Sequence, residues 1–236
     1  MDGVITDTTP LHTHAWKQTL DALLATLPDR GNLSRPFDPV ADYYRYIDGR
    51  VRTEGLRSFL ASRKLEIPIG ETTDKSYSTI HGIAYIKNSL YQELLILRGV
   101  SVHTDAVSFI DTIRRAGLKL GLATSSRNAW RILEMTKLHT TFDVVVDGND
   151  IENLGLHSKP ASDIFVYAAK QLGFALEHCA VFEDSFETLE RILALSPGCA
   201  IGVFRNGNPA VSKELYGINI VPNLTDAVKP FSYGMI

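Results

Sequence analysis

The sequence predicts an α/β protein: a Rossmann-like parallel sheet core carrying an inserted helical cap domain. Three observations lead there. From residue 99 onwards, short apolar runs alternate with amphipathic helical stretches, the signature of βαβ units and so of a parallel sheet with helices on both faces. Residues 8–98 show helical spacing throughout and no convincing strand. Finally, hydroxyls, acids and one lysine follow directly on the apolar runs, at the carboxyl edge where parallel sheets bind ligands. The expected division is 1–7 with 99–236 as the α/β core and 8–98 as the cap.

The opening Met1-Asp2-Gly3-Val4-Ile5-Thr6-Asp7 reads as the end of a strand tipping into a loop. An apolar core strand belongs in front of it and is absent from the sequence as written. Met1 is therefore expected to be an internal methionine taken as a start, with the protein extending about ten residues upstream.

Leu11, Ala15, Trp16, Leu20, Leu23, Leu24 and Leu27 give residues 8–27 a helical face, with Pro10 where a first turn tolerates it. Residues 28–39 are turn-rich, and 43–47, 56–63 and 76–97 read as three further helical stretches. A helix over 106–116 is closed by Gly117, followed by a buried strand over 118–123. Helices over 130–138, 164–172 and 189–195 alternate with strands over 142–146, 179–182 and 200–204, and a short strand at 219–221 ends the pattern.

Composition narrows the partners. With 44% hydrophobic and 22% charged residues the chain is ordinary for a globular protein, and its net charge of −3 argues against nucleic acid. No apolar run approaches a membrane span or a signal peptide. Cys179 and Cys199 both open apolar runs as small buried residues, so a disulfide framework is not expected and a reducing cytoplasm is. A monomer is the expected state.

The strand-end residues are Asp2 and Asp7, residues 124–128, Asp147, Glu183 and Asp184, with Lys159 ahead of Pro160 in the loop after Asp147. Acids gathered on one edge repel one another unless a cation joins them, and an oxygen-only set favours Mg²⁺ over zinc. A lysine beside hydroxyls points to an anionic substrate group, most simply phosphate. Each element has a plainer reading: Thr-Ser-Ser as a helix cap, Glu-Asp as a solvated turn, Lys-Pro as a helix start. Their occurrence in one order at successive strand ends outweighs those readings.

These residues resemble the haloacid-dehalogenase superfamily, and within it the β-phosphoglucomutase-like branch. Asp2-Gly3-Val4-Ile5-Thr6-Asp7 with His12 and Ala15-Trp16-Lys17 is similar to the branch's first motif and the cap helix after it. Leu122-Ala123-Thr124-Ser125-Ser126-Arg127-Asn128 is similar to the second motif. Ser158-Lys159-Pro160 resembles the third, and Glu183-Asp184-Ser185 the fourth. The fourth departs from the pattern by carrying bulk and charge at Phe186 and Glu187, and the insert over 28–39 lengthens the cap.

The resemblance implies an aspartyl-phosphate mechanism on a small phosphorylated sugar. Asp2 matches the general acid and base, Thr124 the phosphoryl hydrogen-bond donor and Lys159 the neutralising cation. Asp2, Glu183 and Asp184 match the Mg²⁺ ligands. Ser125, Ser126, Arg127 and Asn128, with His12, Trp16, Arg52, Lys87 and Asn88 of the cap, match substrate-binding positions. His14, His81, His103, His139, His157 and His178 receive no role.

The implied nucleophile precedes Met1, so the polypeptide as written is expected to turn over poorly. A sugar-phosphate phosphatase and a catalytically inactive phosphosugar-binding protein are the alternatives.

Overall fold

The computed structural model describes residues 1–28, 31–205 and 219–227. Positions 29–30 of the turn-rich connection, and 206–218 and 228–236 of the expected α/β section, lie outside the described residues. The chain divides into two compact units, Met1–Asp7 with Val100–Ile236, and Thr8–Gly99.

The helical unit contains α1 (Thr9–Ala25), α2 (Arg52–Ser62) and α3 (Ile80–Arg98). Pro10 sits in the first turn of α1, where its missing N–H costs nothing. Leu11, Ala15, Trp16, Leu20, Leu23 and Leu24 bury one face of that helix. Helix α3 starts at Ile80 rather than at 76, because the Thr79 hydroxyl accepts from the Gly82 N–H at 3.1 Å and caps it there. Helix α2 starts four residues earlier than the apolar spacing suggested, at Arg52. Tyr43–Ile47 is a π turn closed by Asp48 N donating to the Tyr43 carbonyl at 2.9 Å. The core joins Trp16, Leu20, Phe37, Leu56, Phe59 and Ile83, the Phe37 and Phe59 rings meeting edge to face at 5.4 Å.

The α/β unit runs α4 (Thr104–Arg115), β1 (Gly121–Ala123), α5 (Ala129–Met135), β2 (Val144–Val146), α6 (Gly148–Asn153), α7 (Asp163–Leu172), β3 (Ala180–Glu183), α8 (Phe186–Leu193), β4 (Cys199–Val203) and β5 (Asn219–Val221). All strand pairings within the two sheets are parallel, as βαβ alternation requires. Among the described residues they pair as two sheets rather than the single one expected: β1 with β2, and β3-β4-β5. Helix α7 packs on β1 and β2, and α8 on β3 and β4. Helix α4 reaches β3 through Phe109, whose ring stands edge-on to Phe182 at 4.9 Å.

Three local expectations are corrected. The strand read over 118–123 is only Gly121–Ala123, because the Leu120 N–H donates to the Asp143 carboxylate at 2.8 Å instead of entering a ladder. For the same reason β2 begins at Val144 and not at 142. Helix α6 was not expected; the Asp147 and Asp150 side chains close a capping box on each other's backbone N–H groups. Helix α7 ends as read, with Gly173 at φ 88° in the left-handed conformation that a side chain disfavours. Among the described residues no helix is long and apolar enough to cross a membrane.

Candidate functional site

Thr124 follows β1, Asp147 follows β2, and Glu183 ends β3 with Asp184 next to it, so the strand-end residues are placed where parallel sheets present them. Thr124, Asp147, Lys159 and Glu183 are all buried. Lys159 Nζ donates to Glu183 Oε2 at 2.8 Å, and lies 4.9 Å from the centroid of the Phe165 ring. A buried ammonium needs such a partner, since desolvation otherwise costs more than the fold can offset.

The opening loop folds back on itself. The Met1 carbonyl accepts from Val4, Ile5 and Thr6 N–H groups at 3.3, 2.8 and 3.1 Å. Its outgoing side is tied to the chain before α4, Asp7 N donating to the Ser101 carbonyl and His103 N to the Ile5 carbonyl, both at 2.9 Å. Gly3 has φ 73°, and a Cβ there would overlap the Asp184 carboxylate. That position demands glycine twice over, from its backbone conformation and from the acid packed on it. Asp184 and the residue after Asp2 are thereby in direct apposition.

The second motif forms a hydroxyl-linked turn ahead of α5 and not the helix cap of its plainer reading, since no side chain caps that helix. Thr124 Oγ1 accepts from Ser126 N, and Ser126 Oγ from Asn128 N, both at 3.2 Å, leading into α5. The loop is tied to the neighbouring strand end by Gly148 N donating to the Ser126 carbonyl at 3.2 Å. Asn128 is buried, whereas Arg127 turns outward and pairs with Glu152 at 2.8 Å. Ser125 presents its carbonyl to Gly148, where a Cβ would clash with it.

In the helical unit, α1 and α3 bring His12, Trp16 and Lys87 together, and α2 and α3 bring Arg52 to Asn88. Lys87, buried, places Nζ 2.8 Å from His12 Nδ1 and over the rings of Tyr91 and Trp16, at 4.6 and 5.2 Å from their centroids. His12 stacks on Tyr91 with centroids 4.0 Å apart. Burial, and then the Lys87 and Arg52 charges, push the His12 imidazole well below its usual range, so it is neutral and accepts through Nδ1. Arg52 Nη2 donates to Asn88 Oδ1 at 2.8 Å.

The sequence reading passed over Tyr91, whose signal is its position one turn after Lys87. It also passed over Arg205, two residues beyond β4 on the edge that carries Glu183.

Asp2, Glu183 and Asp184 offer only oxygen donors, the set that suits Mg²⁺. Among the described residues, no group of three His, Cys, Asp or Glu side chains is disposed to hold a metal ion. Glu183 is turned to Lys159, while Asp184 lies on Gly3. The donors fit the ion in kind, and Gly3 leaves the room that Asp184 needs.

Residues 1–190 match the family model described as haloacid dehalogenase-like hydrolase. The chain belongs to that family. This haloacid dehalogenase-like hydrolase is 37% identical over 225 residues to the β-phosphoglucomutase of Mycobacterium tuberculosis (strain CDC 1551 / Oshkosh), covering 94% of this chain and 86% of that protein. It is 28% identical over 193 residues to the phosphorylated carbohydrates phosphatase of Thermotoga maritima, covering 80% of this chain and 76% of that one. Its fold is shared with the crystal structure of β-phosphoglucomutase from Clostridium difficile, at TM-score 0.72 and 20% identity over 98% of this chain and 92% of that chain. The hydrolase is thus an enzyme with the α/β architecture of its family.

Proposed function

We propose that this hydrolase-family enzyme is a Mg²⁺-dependent phosphotransferase that acts on a small phosphorylated sugar in the manner of the β-phosphoglucomutases. The observation that carries the proposal is the buried Lys159–Glu183 pair, set at a strand end beside the Asp184 carboxylate that packs on the Asp2-Gly3 loop. A dry cation next to acids and hydroxyls suits a transferring phosphoryl group, whose catalysis is mostly positioning and charge neutralisation.

In this reading Asp2 is the general acid and base. Protonated, it donates to the departing sugar oxygen; ionised, it takes the proton of the attacking hydroxyl. The family resemblance implies that the phosphoryl group is carried between donor and acceptor as an aspartyl phosphate. Thr124 donates its hydroxyl to the phosphoryl oxygens, and Lys159 offsets their charge. Asp2, Glu183 and Asp184 would hold Mg²⁺, which when bound supplies further charge neutralisation at those oxygens.

Ser125, Ser126, Arg127 and Asn128 are assigned to the sugar phosphate, as are His12, Trp16, Arg52, Lys87 and Asn88 of the helical unit. A planar guanidinium such as that of Arg52 suits a phosphate that is held and not transferred, which favours transfer between sugar positions over hydrolysis. The similarity to the Thermotoga maritima phosphatase supports a second reading, in which water receives the phosphoryl group.

Phosphorus NMR of the protein incubated with Mg²⁺ and β-glucose 1-phosphate tests the proposal. An isomerised sugar phosphate is the expected product. Free phosphate without isomerisation would replace the mutase by the phosphatase. Calorimetric binding with neither product would favour an inactive phosphosugar-binding protein.

A further inference from the structure

Arg205 spends four N–H···O contacts on two targets. Its Nε donates to the Gly3 carbonyl at 3.1 Å and its Nη2 to the Val4 carbonyl at 2.7 Å. On the other side, Nη1 and Nη2 donate to the two oxygens of Asp105 at 3.0 and 2.9 Å. Asp105 in turn accepts from the Leu224 N–H at 2.8 Å, which anchors it to the chain after β5. The guanidinium is only 20% exposed and Asp105 16%, so solvent screens this arrangement weakly. Asp105 loses some ionisation to burial, but the Arg205 and Leu224 donors outweigh it and hold its carboxyl below the usual carboxylate range.

Gly3 is therefore held from two sides. Its Cα faces the Asp184 carboxylate closely enough to forbid a side chain, and its carbonyl is fixed by Arg205. Asp2 is the neighbouring residue, and its own backbone bridges to Thr6 within the same loop. Other backbone contacts of the loop run within it and to residues 101–103. A lysine could supply the charge of Arg205 but not the fork that reaches two carbonyls and a carboxylate together.

We propose that Arg205, locked by Asp105, is a positioning residue: it fixes the Gly3-Val4 backbone and so sets the Asp2 carboxylate relative to Asp184. The proposal rests on the assignment of Asp2 as acid and base. Its N–H groups go to the loop and to Asp105, so it acts through the loop.

The test uses Arg205→Lys and Arg205→Met in the full chain, with steady-state kinetics on the sugar phosphate, thermal midpoints, and amide hydrogen exchange of residues 3–6. A loop displaced by about an ångström is expected to lower kcat about 100-fold with KM little changed. Exchange at residues 3–6 should quicken in both variants while the amides of α7 and α8 keep their protection. Added methylguanidinium should restore part of kcat in Arg205→Met, a recovery that a general loss of stability would not permit.

Wild-type kcat in Arg205→Lys, or unchanged exchange at residues 3–6 in both variants, would overturn the proposal. If Arg205→Met does not fold, the lysine variant decides. If the wild-type protein turns over no sugar phosphate, the reading of Asp2 fails separately, and the exchange of residues 3–6 still judges the clamp.

Discussion

Asp42 and Arg63 in the helical unit meet at 2.7 Å, and Lys159 and Glu183 in the α/β unit at 2.8 Å, all four side chains being no more than 6% exposed. Their surroundings differ. The Asp42 carboxylate also accepts from Arg35 Nη2 at 2.7 Å and from Asp38 N at 2.9 Å, and Arg63 lies over the Phe59 ring and donates to the Arg35 carbonyl. Three donors hold those oxygens, and the charge is spent on holding the segment around Arg35 against α2. Lys159 donates to Glu183 and lies over the Phe165 ring, and a second acid, Asp184, follows Glu183 directly. A lysine–carboxylate contact beside another acid can change partner when an anion or a cation arrives. Burial alone therefore does not distinguish an architectural ion pair from a chemical one; the number of competing donors does.

The contrast breaks most sharply at Asp42. Asp42→Ala leaves the Arg63 charge buried without its partner and is expected to cost about 3–5 kcal/mol in urea unfolding. The double variant Asp42→Leu with Arg63→Met should recover most of that loss, because it removes both charges together. A single-variant cost well under about 1 kcal/mol would show that the pair does not hold the helical unit.

Lys159→Met sharpens the other side. Turnover is expected to fall about 10²–10³-fold, the cost of losing one preorganised charge at a developing oxyanion. The stability loss should be smaller than at Asp42, whose carboxylate holds three donors together. Kinetics and urea unfolding on the same preparation separate the two effects.

The third effect is the smallest and concerns His12. Its folded value lies below the ordinary one, so the unfolded chain accepts a proton that the folded protein resists. The resulting stability is complete above about pH 6.5 and is lost as the pH falls below it, towards the lowered folded value. Thermal midpoints recorded from pH 8 down to pH 5 should show this decline, and His12→Gln should flatten it. An identical decline in the variant would assign the dependence to other groups.

The helices were legible in the sequence because their signals are local: an apolar face at 3.6-residue spacing, Pro10 at a start, Gly173 at an end. Strand β5 was legible in full, but β1 was not. Leu118-Lys119-Leu120 reads as apolar strand, and only the distant Asp143 carboxylate takes it out of the ladder. Helix α6 was hidden in Asp147-Gly148-Asn149-Asp150, which reads as a turn until the two aspartates are seen to cap each other's backbone.

For the site, residue type and strand-end position were enough to single out Thr124, Lys159, Glu183 and Asp184. They did not show that Arg127 turns to Glu152, or that Arg205 reaches back across 202 positions to Gly3. Those pairings depend on three-dimensional neighbours that spacing along a chain does not encode.

The attachment of Phe37 to α1 has a consequence of its own. Phe37 is 1% exposed inside the helical core, and its backbone is gripped on both sides by one helical turn of α1. Asp21 accepts from the Phe37 N–H at 2.7 Å, Lys17 donates to the Phe37 carbonyl at 3.1 Å, and Lys17 and Asp21 pair with each other at 2.8 Å. The segment is thus held on α1 through a matched socket. Anyone exchanging cap segments between members of this family would have to transplant Lys17 and Asp21 together with Phe37. Moved alone, the segment would arrive with an aromatic plug and nothing shaped to receive its backbone.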